Sequence, residues 1–315
     1  MTWDDLAMEE RGTKSNILGV KIGGIEMRNP TMFASGFLGV SKDMIKRIDR
    51  VNAGAVVSKS ISYEHILGYR NPTVVCLQGG SYINAVGLAN PGAEAFSAES
   101  STSFSTPLII SLIGSSEYDF SRLITSFGNS KASGYEINLS CPHVAKLGLE
   151  VGDDPEMVGK VVKTIKSATA KPVFVKVGIG NADLLEISRV AADSGADAIT
   201  AVNSIRAMAI DIESGHPILS NRIGGLSGKC IKPIAVRCVY EIYREVDVPV
   251  IGCGGIFSWE DAVEFMLAGA AAVQIGSAIA YEGLGVFRSI TAGLKMYLEK
   301  KDLKNAGEIV GLAHR

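Results

Sequence analysis

A short local pattern recurs along this chain, and it constrains the fold more than any other feature. A glycine or another small residue is followed by four or five apolar residues that end at polar or glycine positions. The pattern occurs at residues 53–60, 133–140, 195–204 and 269–277. Pro107, Pro172 and Pro249 each introduce a further apolar run. Glycine is favoured just past a helix end and proline is tolerated at the first position of a strand, so each run is predicted to be a buried strand.

The segments between these runs have the apolar periodicity of amphipathic helices. Residues 155–169 place Met157, Val161, Val162 and Ile165 on one stripe, and residues 184–193 and 259–268 repeat the arrangement. Ser258 precedes the last of these helices, with Asp261 three residues later, which predicts an Asp variant of the capping box. Apolar strands that alternate with helices indicate a parallel sheet buried on both faces.

Counting the strands favours a closed barrel over an open doubly wound sheet. The predicted strands are Thr31 to Ala34, Ala55 to Ser58, Leu108 to Leu112, Tyr135 to Leu139, Val173 to Val177, Ala198 to Val202, Val248 to Gly252 and Ala272 to Ile275. Eight such units predict an α/β fold of the (β/α)8 TIM-barrel type. Residues 61–107 and 206–227 are then insertions after strands two and six. Because no Ser- or Pro-rich linker divides the chain, residues 1–315 are predicted to form a single domain.

Composition excludes several classes of protein. A net charge of −2 with scattered Lys and Arg offers no footprint for nucleic acid. The longest apolar runs fall far short of the ~20 residues that a bilayer requires, and the acidic, polar N-terminus indicates neither a signal peptide nor a membrane anchor. Five cysteines without a CxxC pair argue against a disulfide framework, a structural zinc and an iron–sulfur site. The expected compartment is therefore the reducing cytoplasm.

Polar side chains of several kinds follow the predicted strands. In residues 138–142, NLSCP, an apolar run ends with a cysteine that a proline follows, so the Asn138 amide and the Cys141 thiol lie where a strand meets a loop. A free cysteine is more often a small buried hydrophobe, a lysine at a strand end is usually solvated and a lone asparagine usually caps a turn. The joint set favours an anionic ligand at the mouth of the barrel: Ser35, Lys59, Ser111, Asn138, Cys141, Lys176, Asn203, Ser204, Gly254, Gly255, Gly276 and Ser277.

Two glycine-containing loops suggest a phosphate site. Residues 252–256, GCGGI, follow strand seven, and residues 275–277, IGS, follow strand eight. Glycine permits close backbone approach and leaves N–H groups unhindered, and barrels commonly hold a phosphate between these two loops.

Five motifs together resemble the dihydroorotate dehydrogenases. They are NAVGLANPG at 84–92, NLSCP at 138–142, VFVKVG at 173–178, VNS at 202–204 and GGLSG at 224–228. The resemblance runs from about residue 29 to residue 277, with the motifs in the family's order. It is closest to the class 1 enzymes, in which cysteine is the base, since the membrane-associated class carries serine there and an N-terminal extension. Within class 1 the loops look most like the NAD-linked, two-subunit class 1B.

This resemblance implies an activity and a set of site residues. It implies FMN-dependent oxidation of (S)-dihydroorotate to orotate in de novo pyrimidine (UMP) biosynthesis, with Cys141 as general base and FMN as hydride acceptor. The FMN residues that it implies are Ser35, Lys59, Ser60, Asn138, Lys176, Val202, Gly228, Gly254, Gly255, Gly276 and Ser277, with Ser111 where an asparagine often contacts the flavin. The substrate residues that it implies are Lys59, Asn84, Ala85, Val86, Gly87, Leu88, Asn138, Asn203 and Ser204.

Two departures from the family pattern keep alternatives open. Ser111 is one, and His143 is the other, because it stands where many members have asparagine after Cys-Pro. SCPH also resembles the flavin domain of dihydropyrimidine dehydrogenases, whereas NAVGL and residues 218–228 favour the dihydroorotate enzyme. A non-redox phosphate-binding TIM-barrel enzyme and an inactive binding subunit are the remaining alternatives. Flavin absorbance, and turnover of dihydroorotate against dihydrouracil, would separate these possibilities.

A lid and partner subunits are also expected. Residues 144–152, with Gly148 and Gly152 as hinges, are the predicted lid over the substrate. Since the chain has no four-cysteine cluster and no second nucleotide-binding domain, electrons are expected to leave through an FAD- and iron–sulfur-containing subunit. That subunit would dock on a homodimer of this chain, with residues 282–300 and the surface around the exposed flavin edge in the contacts. No metal ion, nucleic acid or membrane is expected to bind.

Overall fold

The computed structural model describes residues 16–36, 38–77, 79–139 and 149–315. Cys141, His143 and residues 144–148 of the predicted lid lie outside the described residues.

Eight parallel strands form a closed barrel, which confirms the predicted TIM-barrel fold. In the order of pairing around the barrel they are β3 (Thr31–Phe33), β4 (Ala55–Val57), β7 (Leu108–Leu112), β8 (Gly134–Asn138), β9 (Val173–Val177), β10 (Ala198–Ala201), β15 (Val250–Cys253) and β16 (Ala270–Ile275). The largest departures from the predicted bounds are two residues, in β15, which begins at Val250 instead of Val248, and in β16, which begins at Ala270 instead of Ala272. Pro249 has no N–H for the ladder, although its carbonyl accepts a hydrogen bond from Ile199 at 3.0 Å.

Helices cover the outside of the barrel. They are α1 (Lys42–Asp49), α2 (Ala93–Ser100), α3 (Glu117–Ser126), α4 (Leu149–Gly152), α5 (Pro155–Ala168), α6 (Leu184–Asp193), α7 (Lys232–Tyr243), α8 (Trp259–Leu267), α9 (Ala278–Glu282) and α10 (Val286–Lys300). The predicted capping box of α8 is present, with the side chains of Ser258 and Asp261 each bound to the other's backbone. In α5, Val158 is buried whereas Met157 is only half-buried, so the buried stripe is shifted slightly from the predicted one.

The two insertions pair with each other, which the sequence did not predict. The first contains β5 (Val74–Leu77) and β6 (Ser81–Asn84), and the second contains β11 (Ile205–Ala207), β12 (Ile210–Asp211), β13 (His216–Pro217) and β14 (Gly224–Gly228). Four of these strands form one antiparallel sheet in the order β11-β14-β6-β5. Its register places Asn84 opposite Gly225.

The two ends of the barrel differ in polarity. A hairpin of β1 (Val20–Ile22) and β2 (Ile25–Met27) packs Ile22 and Ile25 into a buried cluster with Met32 and Phe174 from the barrel strands. This cluster fills the amino-terminal end of the barrel with apolar side chains, so polar groups are left for the carboxyl-terminal end. Within the described residues no helix is long and apolar enough to span a membrane.

The α8 capping box should contribute measurably to stability. Replacement of Ser258 by alanine removes the acceptor for the Asp261 N–H and should lower the free energy of unfolding by about 1 kcal/mol, read as a lower urea midpoint. Ser289→Ala, at an exposed position within α10, is the matched control and should change stability by less than about 0.5 kcal/mol. Equal midpoints for the two variants would contradict a stabilising cap.

Candidate functional site

Two adjoining clefts open at the carboxyl-terminal ends of the barrel strands. The large cleft has an empty volume of about 1030 Å³ and the small cleft one of about 540 Å³. Both are lined by Ser35, Gly36, Asn84, Val86, Asn203 and Ser204. Because they share these residues, the clefts are two parts of one site, in the place where TIM barrels carry their chemistry.

Glycines form a cradle on one side of the large cleft. Gly228, Gly254, Gly255 and Gly276 all line it, together with Ser277. Gly254 and Gly255 have φ values of +130° and +77°, which strongly favour glycine. A Cβ on Gly255 would lie 2.9 Å from the Gly228 carbonyl oxygen, so the chain segments approach each other as closely as glycine permits. The cradle leaves backbone groups accessible to a ligand such as a phosphate.

The floor of the large cleft carries a buried cation. Lys176 is on β9 with only 2 % of its surface exposed, and its Nζ donates to Gln274 Oε1 at 2.9 Å. The Cys253 sulfur lies 3.7 Å from the same nitrogen. Burial raises the pKa of the Cys253 thiol, and the neighbouring Lys176 charge only partly opposes that effect. Lys176 is therefore positioned to bind negative charge in the cleft, while Cys253 is kept as a neutral thiol.

A chain of polar side chains runs below the small cleft. Ser111 and Ser60 share a hydrogen bond of 2.9 Å between their hydroxyls. Asn138 Nδ2 donates to Ser60 Oγ at 2.9 Å, and Asn203 Nδ2 donates to Asn138 Oδ1 at 3.3 Å. These contacts fix the orientation of both amides, so a ligand meets them in one arrangement.

The end of β6 and the loop after it form part of the wall of the small cleft. Asn84, Val86, Gly87 and Leu88 line the cleft, and so does Lys59, whose Nζ lies 3.4 Å from the Gly36 carbonyl oxygen. Asn84 Nδ2 donates to the Gly225 carbonyl at 3.2 Å, so the loop is anchored to the second insertion.

Most residues predicted for the site line one cleft or the other, with two exceptions among the described residues. Ser111 is fully buried behind Ser60, and Ala85 is fully buried beneath the loop. The position of Cys141 is not described, although it follows Asn138, the last residue of β8, by three positions.

Sequence reasoning missed several lining residues. They are Gly36, Val74, Tyr82, Ser227, Ile231, Cys253, Ile256, Phe257, Gln274, Ala34, Ala278 and Ala280. Gln274 could have been found, because it is polar within the otherwise apolar run AAAVQI, and in a barrel strand such a side chain points inwards. Val74 and Tyr82 come from the insertion sheet, in which β6 pairs with the distant strand β14, and no local pattern indicates that pairing.

The charge at the site is positive. Lys59 and Lys176 line the clefts, whereas no aspartate or glutamate appears among the described lining residues. The described residues also contain no group of three or more His, Cys, Asp or Glu side chains that could hold a metal ion. This arrangement suits an anionic organic ligand in the large cleft beside a smaller polar ligand in the small one.

Comparison with known proteins identifies the family. The sequence model of the dihydroorotate dehydrogenase family matches residues 17–298. The catalytic subunit of dihydroorotate dehydrogenase B (NAD(+)) from Methanocella arvoryzae is 46 % identical over 295 residues, covering 93 % of this chain and 96 % of the relative. The subunits of the same name from Pyrococcus abyssi and Archaeoglobus fulgidus are 45 % and 46 % identical, over 94 % and 95 % of this chain and 99 % of each relative.

Proposed function

The chain belongs to the dihydroorotate dehydrogenase family, and from that membership we propose that it oxidises (S)-dihydroorotate to orotate in pyrimidine (UMP) biosynthesis. It is an oxidoreductase of this family, which implies a flavin cofactor, and FMN is the flavin that we propose. The observation that carries the proposal is the pair of adjoining clefts, one with a glycine cradle and a buried lysine, the other walled by amides and a second lysine. The proposed unit is one FMN-binding barrel domain over residues 1–315.

The residues of the large cleft fit FMN. Gly254, Gly255, Gly276 and Ser277 would hold its phosphate, because they line the cleft and glycine leaves backbone N–H groups unhindered. A Cβ on Gly276 would meet only Ala34, whereas one on Gly254 or Gly255 would collide with neighbouring protein atoms. Lys176 would face the ring edge that becomes electron-rich, and its charge favours reduction. Ser35, Val202 and Gly228 of the large cleft complete the proposed set together with Lys59, Ser60 and Asn138, which line the adjoining small cleft. Ser111 would act only through Ser60. When bound, FMN supplies a hydride acceptor.

Dihydroorotate fits the small cleft by its functional groups. Its ring amides need both donors and acceptors, which the side chains of Asn84, Asn138 and Asn203 offer. Its carboxylate needs a cation, which Lys59 supplies at the edge of the same cleft. Ser204 and the backbone of Val86, Gly87 and Leu88 provide the remaining wall, while Ala85 supports the loop from beneath.

Cys141 is the proposed base that removes the proton from C5 of dihydroorotate. The reference pKa of a cysteine is ~8.5, and only the thiolate accepts a proton, so the site must exclude water and position the sulfur. Residues 144–152 are the proposed lid for that purpose. The end of β8 brings the chain to the small cleft at Asn138, three residues before this cysteine.

The phosphate cradle can be tested without straining the backbone. A Cβ on Gly276 would meet only Ala34 Cβ, at 3.4 Å, so Gly276→Val should fold while its side chain occupies the cleft. We expect FMN affinity, measured by flavin fluorescence, to fall about 10- to 100-fold. Gly255→Val is a poorer choice, because its Cβ would press on the Gly228 backbone.

Gly128→Val is the matched control for this test. A Cβ on Gly128 would likewise meet a single atom at 3.4 Å, the Thr125 carbonyl oxygen, yet Gly128 lies outside the residues that line either cleft. The control should purify with its flavin. A Gly276→Val protein that retains FMN with the parent affinity would contradict the proposed phosphate site.

The base is tested by Cys141→Ala. The variant should keep FMN and bind orotate, but dihydroorotate should reduce the flavin about 10²–10⁴-fold more slowly in stopped-flow absorbance. Cys141→Ser should recover part of the rate at high pH, because a hydroxyl is a much weaker acid than a thiol. Dihydrouracil serves as the substrate control and should reduce neither protein. Reduction of Cys141→Ala at the parent rate would contradict the role of base.

A partner subunit is proposed as the route by which electrons leave. The relatives are named as catalytic subunits of an NAD-linked enzyme, and the five cysteines of this chain contain no CxxC pair. Val74, which is 51 % exposed, and Phe257 line the large cleft, and Tyr281 packs edge-on against Phe257 with 61 % of its own surface exposed. The rim formed by Val74, Phe257 and Tyr281, together with residues 282–300, is the proposed contact surface of a homodimer with an FAD- and iron–sulfur-containing subunit.

A cytoplasmic location is proposed from the free cysteines 76, 230, 238 and 253.

The isolated chain should therefore lack a physiological electron acceptor. With dihydroorotate it should reduce an artificial dye but should not reduce NAD⁺ at a measurable rate, as followed by NADH absorbance. Co-expression with the proposed subunit should restore NAD⁺ reduction. Fumarate reduction by the isolated chain at the rate of dihydroorotate oxidation would contradict the need for a partner.

A further inference from the structure

A glutamate lies inside the barrel beneath the large cleft. Glu136 is on β8 and is fully buried, with 0 % of its surface exposed. Its Oε2 accepts hydrogen bonds from Thr200 Oγ1 at 3.0 Å and from Gln274 Nε2 at 2.5 Å. Its Oε1 has no hydrogen-bond partner among the described residues. A buried carboxylate with one unsatisfied oxygen is costly, so a compensating charge is expected nearby.

Gln274 joins this glutamate to Lys176. Its Nε2 donates to Glu136, and its Oε1 accepts from Lys176 Nζ at 2.9 Å. An ammonium can only donate and a carboxylate can only accept, so the amide fits between them in one orientation. The three side chains, each at most 2 % exposed, therefore form an ordered acceptor–amide–donor chain across the barrel.

Glu136 and Lys176, the two charged members of this side-chain network, have no other counter-ion among the described residues. No Lys or Arg nitrogen among the described residues forms an ion pair with Glu136 within 4.0 Å, and no described carboxylate lines either cleft. At low dielectric, opposite charges attract strongly even when an amide separates them. Glu136 and Lys176 thus balance each other inside the barrel.

We propose that Glu136, acting through Gln274, is a positioning residue that keeps Lys176 protonated and fixed at the floor of the large cleft. The proposal rests on the proposed function, because it is there that Lys176 faces the flavin. Its consequence is that the charge of the floor stays constant while the flavin is oxidised and reduced. The reduction potential of the flavin therefore gains no additional pH dependence from proton exchange at Lys176.

The other groups around Lys176 do not replace Glu136. Cys253 on β15 is the remaining titratable group in contact with it, and burial raises the pKa of that thiol, so it carries no compensating charge. Thr200 on β10 does not titrate. Lys59 lines the small cleft but is itself a cation, and Tyr82 lines the large cleft with a pKa raised mainly by burial. The helices α5 and α6 cover the outer face of β9, whereas Lys176 points inwards to Gln274.

The test is the reduction potential of the bound flavin as a function of pH. Glu136→Gln keeps the shape of the side chain and removes its charge, so Lys176 should hold its proton less tightly. Flavin reduction would then take up an additional proton. For each rise of one pH unit, the equilibrium constant for flavin reduction in Glu136→Gln should therefore fall by up to a further factor of ten compared with the parent. For a two-electron couple, that factor corresponds to an additional decrease in reduction potential of about 30 mV per pH unit.

Two further variants identify the group that titrates. Thr200→Val removes a hydrogen bond from the same carboxylate but keeps both charges, so its potential should run parallel to that of the parent from pH 6 to 10. In Glu136→Gln combined with Lys176→Met the additional slope should disappear. A slope that persists in the double variant, or a Glu136→Gln profile parallel to the parent, would overturn the proposal.

A second measurement does not depend on the flavin. In full-length protein grown with ¹³Cε-lysine, the Lys176 resonance, assigned by its loss in Lys176→Met, should titrate at lower pH in Glu136→Gln than in the parent. Unchanged titration of this resonance would overturn the proposal about Glu136, whether or not the protein carries FMN. Absence of FMN from the protein would be a separate result, and it would contradict the proposed function. If Glu136→Gln does not fold, Gln274→Met interrupts the same side-chain network. This variant should shift the reduction potential and the Lys176 titration in the same direction as expected for Glu136→Gln. The absence of both shifts would contradict the proposal.

Discussion

The site depends on closure of the barrel, in which the last strand, β16, pairs with the first, β3. The pairing sets Gln274 beside Met32 and Ile275 beside Phe33. Because all eight strands are parallel, closure brings their carboxyl ends to one rim, so residues from opposite ends of the chain become neighbours. The large cleft is therefore lined both by Ser35, just after β3, and by Gly276, just after β16. An open sheet of the same strands would separate these loops and leave no enclosed floor for a ligand.

Closure of the barrel also encloses an interior that side chains must fill. Phe174 and Lys176 lie two residues apart on β9, so both point into the barrel. Phe174 belongs to the apolar cluster at the amino-terminal end, whereas Lys176 lies one layer higher with Gln274. The change from apolar to polar packing within two residues explains why the barrel can be stable at one end and hold charged groups at the other. The polar layer is tolerated because its members bind each other, with Glu136 Oε1 as the exception among the described atoms.

How much the sequence predicts depends on whether the signal is local. The strands were predicted to within about two residues, because each is a short apolar run bounded by glycine or proline, and the glycines of the cradle were found because they follow those runs directly. Lys176 of the polar layer was predicted, but Glu136 and Gln274 were missed, because both interrupt apolar runs and only the closed barrel shows that they meet. The pairing of the insertions was missed for a similar reason. Contacts between residues as far apart as Asn84 and Gly225 follow from the completed topology and leave no periodic pattern in the sequence.

That insertion sheet has a consequence for how the two clefts work together. Strand β6 ends at Asn84 in the wall of the small cleft, and its neighbour β14 ends at Gly228 in the cradle of the large one. The strands are antiparallel, with Asn84 opposite Gly225 and Ser81 opposite Gly228. One ladder of hydrogen bonds therefore connects the wall of the small cleft to the cradle of the large cleft. The proposed hydride transfer between ligands of the two clefts requires a fixed separation of donor and acceptor, and a shared sheet sets that separation more accurately than two independent loops would.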